Sequence, residues 1–377
     1  DAVCRGQYHG WLKEKVGSHI IRRNNIHHCE QGGIIGRQGG VFSIIEDNHI
    51  HHINNMMELG GAEIAGIKMH AAIDVTMRRN HIHHCTMGIW TDWEAQGTRI
   101  TQNLLHDNQR PEFARQLKGG MMSQDIFVEV GHGPTLIDNN VLLSDDSLRI
   151  ATQGVAMVHN LICGSFTMVG GGTGWRYTPY HMPHRTEVMG FMTILHGDDR
   201  IYNNILIQHY PVLHPERTPE DNNYEVVGTA PFDIFPTYEE WISHFQMGQE
   251  PNMGALATYH FGHLPVWVEG NAYFNGATVC KHEQHHLIDT ENKVQVALVE
   301  ENGKTVLKTN VYELLKDFKA GILSSETLGK AFEPEQRFEN PDGTDITFNT
   351  DYFHQHREGC STIPGPLAEG GDSIALW

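Results

Sequence analysis

Asparagine-hydrophobe phrases recur down the first half of this chain, and no other feature constrains its fold as strongly. They are Asn24-Asn25-Ile26-His27-His28, Asn48-His49-Ile50-His51-His52, Asn80-His81-Ile82-His83-His84, Asn103-Leu104-Leu105-His106, Asn139-Asn140-Val141-Leu142 and Asn203-Asn204-Ile205-Leu206, with a weaker copy at His159-Asn160-Leu161-Ile162. Between third residues the steps are 24, 32, 23, 36, 20 and 44. A period of twenty-odd residues with variable additions marks a solenoid, because one repeat cannot bury its apolar face alone. Each copy is short, β-rich and bounded by Gly, Asn or Asp, with no helical period. The expected fold is all-β, a parallel β-helix with one coil per repeat. Stacked strands should run from about 18 to 210. Ile26, Ile50, Ile82, Leu105 and Val141 are expected to form one inward column, and the asparagines to bond along the turns as ladders.

A second phrase sets the register of a candidate site. It reads Ala65-Gly66-Ile67-Lys68-Met69-His70, Met87-Gly88-Ile89-Trp90-Thr91-Asp92 and Gln124-Asp125-Ile126-Phe127-Val128-Glu129. Aligning the isoleucines puts His70, Asp92 and Glu129 at one offset. Equivalent positions of neighbouring coils stack at ~4.8 Å. Asp92 and Glu129 should therefore be neighbours on one face. Two carboxyls that close push one pKa up, and ~5–5.5 Å is the spacing of a retaining glycosidase pair. The plainer reading is a solvated or capping carboxylate.

The 377 residues carry a net charge of −19. That acidic balance argues against nucleic acid or an anionic polymer and suits a small neutral oligosaccharide. No apolar run of 18 residues is present, so no membrane span is expected. The six cysteines follow no CxxC spacing and read as small buried hydrophobes of a reducing, cytoplasmic setting. Cys29 and Cys85 fall at equivalent coil positions. The 27 histidines invite a metal assignment, but their phrases repeat with the coil and read as stacking residues. No metal and no cofactor are expected. A metal site would need three or four ligands converging.

Residues 1–290 are expected to hold the β-helix core, interrupted by an insertion at about 211–262. Loops of extra length fall at 54–66, 107–124 and 170–198. The third carries Gly170 to Gly172, Trp175, Arg176, Tyr180, His181 and His184, the composition of a binding wall rather than a linker. Tyr238 to Phe245 reads as a short helix. Residues 291–377 are expected to form a hairpin around Asn302-Gly303, a helix at about 311–318 with Asn310 as its cap, and a wrapping tail. The chain opens on Asp1-Ala2-Val3-Cys4 in sequence that already looks like a coil. Solenoid ends need caps, so a preceding region is expected. A homo-oligomer is the expected assembly.

The phrases Gly88-Ile89-Trp90-Thr91-Asp92-Trp93-Glu94-Ala95-Gln96-Gly97-Thr98-Arg99 and Asp125-Ile126-Phe127-Val128-Glu129-Val130-Gly131-His132-Gly133-Pro134 resemble the β-xylosidases of glycoside hydrolase family 120. The likeness continues through Gly61 to Lys68, Thr178 to His184, Gly197 to Asn204 and Glu326 to Glu335. The resemblance implies a retaining, exo-acting xylosidase on a right-handed β-helix, with an outer β-sandwich contributed by sequence before this chain. It implies Asp92 as nucleophile and Glu129 as acid/base, the pair the register argument selects independently. Glu63 would touch the sugar; the family tends to have His before that Glu, and here the residue is Ala62. Trp90, Trp93 and Trp175 are candidates to stack on the pyranose, and His132, Arg176, Tyr180 and His184 complete the candidate substrate contacts. Glu94 is a decoy near Asp92.

Two rival readings stand beside this one. A β-helix polysaccharide lyase would call for Ca²⁺ and a basic groove, which the net charge and a carboxylate pair without a neighbouring Arg oppose. A non-catalytic carbohydrate-binding solenoid has no need for two carboxylates in register.

Overall fold

A computed structural model describes Tyr8 and residues 10–60, 63–115, 123–168, 176–211, 215–218, 221, 224–243, 262–357 and 361–377. Within them the chain winds as a right-handed parallel β-helix. Three sheets of eight, nine and seven strands run along it, and successive strands visit the sheets in turn. The first coil is Ile20–Arg22, Asn25–Cys29 and Gly32–Gly36, and the last strand of the second sheet is Leu287–Asp289.

One interaction repeats at every coil. Among the described residues Asn24, Asn48, Asn80, Asn103, Asn140, Asn160, Asn204 and Asn271 form a continuous ladder. Each Nδ2 donates to the next Oδ1 at 2.9–3.0 Å. Each Oδ1 also accepts the backbone N–H of the preceding asparagine. From Asn48 onward the second Nδ2 hydrogen goes to a backbone carbonyl of the coil before. From Asn48 onward all are fully buried, and buried amides must be satisfied in this way. Glu283 ends the ladder, its Oε1 accepting from both the backbone and side-chain N–H groups of Asn271 at 2.9 Å.

The residue before every ladder asparagine is left-handed. Arg23, Asp47, Arg79, Gln102, Asn139, His159 and Asn203 have φ of 50–58°, and Gly270 has 75°. Non-glycine residues rarely adopt this conformation, so the ladder offsets a recurrent backbone cost. It also corrects the expected column. In Asn139-Asn140 and Asn203-Asn204 the first Asn makes the turn and the second joins the ladder, so Leu142, not Val141, pairs in register with Leu105. The inward column is Ile26, Ile50, Ile82, Leu105, Leu142, Ile162 and Leu206. Burying each such side chain contributes roughly 1.5–3 kcal/mol.

Val141 faces outward under the tail. There Leu104, Val141, Leu161, Ile205 and Phe274 pack against Val296, Leu307, Val311 and Ile374. The hairpin Val296–Glu301 with Lys304–Thr309 turns at Asn302-Gly303 with φ of 53° and 74°, as a two-residue primed turn requires. Asn310 precedes the helix Val311–Leu315 but makes no side-chain cap bond to it. It accepts from Gln295 N and donates to the Lys293 carbonyl instead. The helix Tyr238–Ser243 forms as expected. Nearly half of the 211–262 insertion, including 244–261, lies outside the described residues. The segment read as a long loop contains an antiparallel hairpin, Tyr177–His181 with Val188–Thr193.

The histidine phrases stack along the outer face of the second sheet. His27, His51, His83 and His106 have centroids 4.8–5.1 Å apart and nearly parallel rings. His28, His52 and His84 stack beside them at left-handed turns. No described helix is long and apolar enough to cross a membrane.

Replacing Asn160 with Ala would leave the Asn140 N–H and Nδ2 without their acceptor and would remove a donor to Asn204 Oδ1. With unsatisfied buried groups costing about 1–3 kcal/mol each, urea unfolding should show a loss of about 2–4 kcal/mol. Asn25, exposed and outside the ladder, should tolerate Ala within about 0.5 kcal/mol. Equal effects at the two positions would remove the ladder from its stabilising role.

Candidate active site

Strand alternation on the third sheet builds the site. Ile67, Ile89, Ile126 and Leu148 point inward in register. Period two then sends the residues one and three positions later outward. The first outward column is Lys68, Trp90, Phe127 and Arg149; the second is His70, Asp92, Glu129 and Ala151. Asp92 and Glu129 therefore occupy adjacent coils on one face, at the offset the sequence indicates.

Lys68 organises the first carboxylate. Its side chain is fully buried, and Nζ lies 2.8 Å from Asp92 Oδ2 and 3.0 Å from Glu63 Oε2. The ammonium also sits 3.2 Å from the centroid of the Trp90 ring, a cation–π contact strengthened by desolvation. Asp92, 5% exposed, accepts its own neighbour's backbone N–H, Trp93 N to Oδ1, at 2.9 Å. His70 Nε2 lies 3.5 Å from Asp92 Oδ2 and 3.3 Å from Glu63 Oε2. Burial pushes the Glu63 carboxyl up, but Lys68 and then His70 outweigh it and hold the pKa below its ordinary value. Glu63, His70 and Asp92 lie close enough to share a metal ion. The Lys68 ammonium already supplies the cation between the two carboxylates, so no metal is required there.

Glu129 is balanced differently. Burial first, and the Asp92 charge second, raise its pKa above the ordinary value, partly offset by Arg176 and Lys68. Arg176 Nη2 is 2.6 Å from Glu129 Oε1, and its guanidinium lies 5.2 Å from the Trp93 ring centroid. The carboxylate pair thus does have a neighbouring Arg, which corrects the expectation from sequence. One carboxyl held by an ammonium beside one whose pKa is raised is an arrangement that can supply a nucleophile and an acid.

The other candidates divide. Trp93, partly exposed, lies at the site. Trp90 is 3% exposed, covered by Lys68 and packed on Phe127 at 5.3 Å, so it supports the site from beneath. His132, 2% exposed, meets the Thr178 carbonyl at 3.2 Å and the Tyr180 ring edge at 5.4 Å. Burial lowers its pKa to about 4, and it anchors the hairpin rather than presenting itself to a ligand. Tyr180 lies across Gly190, where a Cβ would strike its ring. His184 has both ring nitrogens engaged, with Asp74 at 3.0 Å and Glu339 at 3.3 Å, and braces the tail away from the pair. Trp175 lies outside the described residues. Glu94 faces His181, 3.2 Å away, and is not part of the pair. Sequence reasoning gave no role to Lys68 or His70. Their signal was present, since Lys68 is one step and His70 three steps after an inward isoleucine.

The family model for a right-handed beta helix region matches residues 5–162. No curated protein matches. A solved structure, the complex of XylC with xylose, is 36% identical in sequence with a TM-score of 0.84, over 100% of this chain and 54% of that one. The chain therefore spans about half the length of that protein.

The charge balance at Glu129 can be read directly. In a ¹³C titration of glutamate side-chain carboxyls, Asp92→Asn should lower the Glu129 pKa, because a raising charge is removed. Arg176→Ala should raise it, because a lowering one is removed. Shifts of the same sign in both variants would contradict this arrangement.

Proposed function

We propose that the protein is a retaining glycoside hydrolase, an exo-acting β-xylosidase of the family 120 type that releases xylose from short xylo-oligosaccharides. The observation that carries the reading is the outward column in which Asp92 and Glu129 sit on adjacent coils, Asp92 paired with the buried Lys68 ammonium and Glu129 with its pKa raised by burial and by the Asp92 charge. Similarity to a protein solved with xylose supports the choice of sugar, and the phrases around both carboxylates support the family.

The chemistry is double displacement. The Asp92 carboxylate attacks the anomeric carbon as Glu129 gives its proton to the leaving oxygen, and the glycosidic bond breaks. A sugar ester on Asp92 results. Glu129, now a carboxylate, takes a proton from water as that water attacks the same carbon and releases Asp92. Lys68 holds Asp92 in its attacking orientation, and the Trp93 N–H fixes the other oxygen. Glu63 and His70 are placed to bind hydroxyls, and Trp93 to meet the ring face. Arg176 must yield Glu129 Oε1, or share it, when the leaving oxygen arrives.

The Arg beside Glu129 also suits a lyase, in which a base abstracts a carbon-bound proton and no water is added. Lys68 is a poor base for that, being fully buried and paired with two carboxylates. An unsaturated product from a uronic-acid polymer would favour the lyase reading.

The decisive experiment follows hydrolysis of aryl β-xylosides by NMR. The first sugar released should keep the β configuration, and an inverted first product would overturn the assigned roles. Asp92→Ala should abolish turnover of all leaving groups, and a fluorosugar label should land on Asp92 rather than Glu63 or Glu94. Glu129→Ala should slow poor leaving groups by roughly 10²–10⁴-fold and activated ones far less, with azide partly restoring release.

A further inference from the structure

The solenoid register that aligns the carboxylates on the third sheet also gathers imidazoles on the second, far from any role in the reaction above. His49 and His81 pair across neighbouring strands, as do His51 and His83. Alternation puts both columns on the outer face. One ligand atom from each of His49, His81 and His83 lies within 4.8 Å of the others. His49 Nε2 is 2.8 Å from His83 Nε2. The rings are fixed before any ligand arrives: His49 stacks on His81 at 4.9 Å, His83 stacks on His106 at 4.8 Å, and the Trp377 ring lies 5.2 Å from His81.

We propose that His49, His81 and His83 form a binding site for a borderline divalent transition-metal ion of the Zn²⁺ class, with His106 or water as a fourth ligand. The donor set is all imidazole, which suits Zn²⁺, Cu²⁺ and Ni²⁺ and disfavours Ca²⁺ and Mg²⁺. The spacing fits. Tetrahedral bonds of ~2.0–2.1 Å set ligand nitrogens about 3.3 Å apart, so the His49–His83 contact need open by only about half an ångström.

A second observation points the same way. His81 is 4% exposed, and its Nε2 lies 2.7 Å from His106 Nε2, which brings a fourth imidazole nitrogen to the same patch. His106 carries an outer partner, since its Nδ1 lies 2.7 Å from Asp107 Oδ2. A carboxylate hydrogen-bonded to the far nitrogen of an imidazole orients the ring and raises its basicity toward a metal. Such an ion would tie the second and third coils together beneath the C-terminal residue.

The test titrates chelator-stripped protein with ZnCl₂ by calorimetry, beside thermal melts. One site per chain is expected, with a rise in Tm that grows with free Zn²⁺. The double variant His49→Asn, His83→Asn should lose affinity by more than the roughly 10–100-fold that outer-shell changes cost. His28→Asn, His52→Asn, which alters only the turn column, should bind as the parent does. Absent stoichiometric binding, or equal loss in the two double variants, would overturn the site. If the first variant fails to fold, X-ray absorption at the zinc edge of the parent decides. At least three imidazole nitrogens support the site, and a shell of oxygens refutes it.

Discussion

The asparagine ladder is the constraint on which the rest depends. A parallel coil has no hairpin to set its register, and a slip of one residue would turn every inward side chain outward. The ladder prevents that slip. Each asparagine binds the backbone N–H before it, the amide after it and, from the second coil on, a carbonyl of the previous coil. A shifted strand would leave several buried polar groups unpaired at once. Coil lengths can therefore vary, from the 20 residues between Asn140 and Asn160 to the 67 between Asn204 and Asn271, without disturbing the columns. The additions leave as loops and hairpins, and the hairpin beginning at Tyr177 carries Arg176 to Glu129.

How much of this was legible follows from which faces are covered. The fold was readable because the ladder asparagine recurs at each coil. Its phase was not readable at Asn139-Asn140-Val141-Leu142. There the tail buries the outer face as well, so Val141 and Leu142 are both apolar, and alternation cannot say which points inward. Nor does the left-handed turn residue declare itself, since Arg79, Gln102 and His159 fill it as readily as Asn139 or Asn203. At His49-Ile50-His51 the outer face carries imidazoles, so alternation is plain and the reading was right.

The site shows the same division. Asp92 and Glu129 could be aligned because both lie on strands in register. Lys68 lay within the same phrases, but a lysine on an outward position reads as solvated unless its burial by Trp90, Glu63 and Asp92 is known. Arg176 is a candidate contact from the composition of its loop, but its pairing with Glu129 could not be inferred. It comes to Glu129 from a hairpin 47 residues further on, and nothing in the repeat relates the two. Register reveals partners along a column, whereas partners delivered by insertions depend on packing alone.

A column geometry brings a hazard as well as an opportunity. Stacking at ~4.8 Å repeats any charge placed on it, and a run of carboxylates would repel along its length. Here the acidic stretch is two coils long, bounded by His70 on one side and Ala151 on the other. Each carboxylate then has its own cation, Lys68 for Asp92 and Arg176 for Glu129. The two cations differ in freedom. Lys68 is fully enclosed, whereas Arg176 is partly exposed at the edge of a hairpin. In the proposed double displacement the buried partner would fix the group that stays in place, and the accessible one would attend the group that gains and loses a proton. That asymmetry gives two like residues in equivalent positions different surroundings, as the proposed division of roles requires.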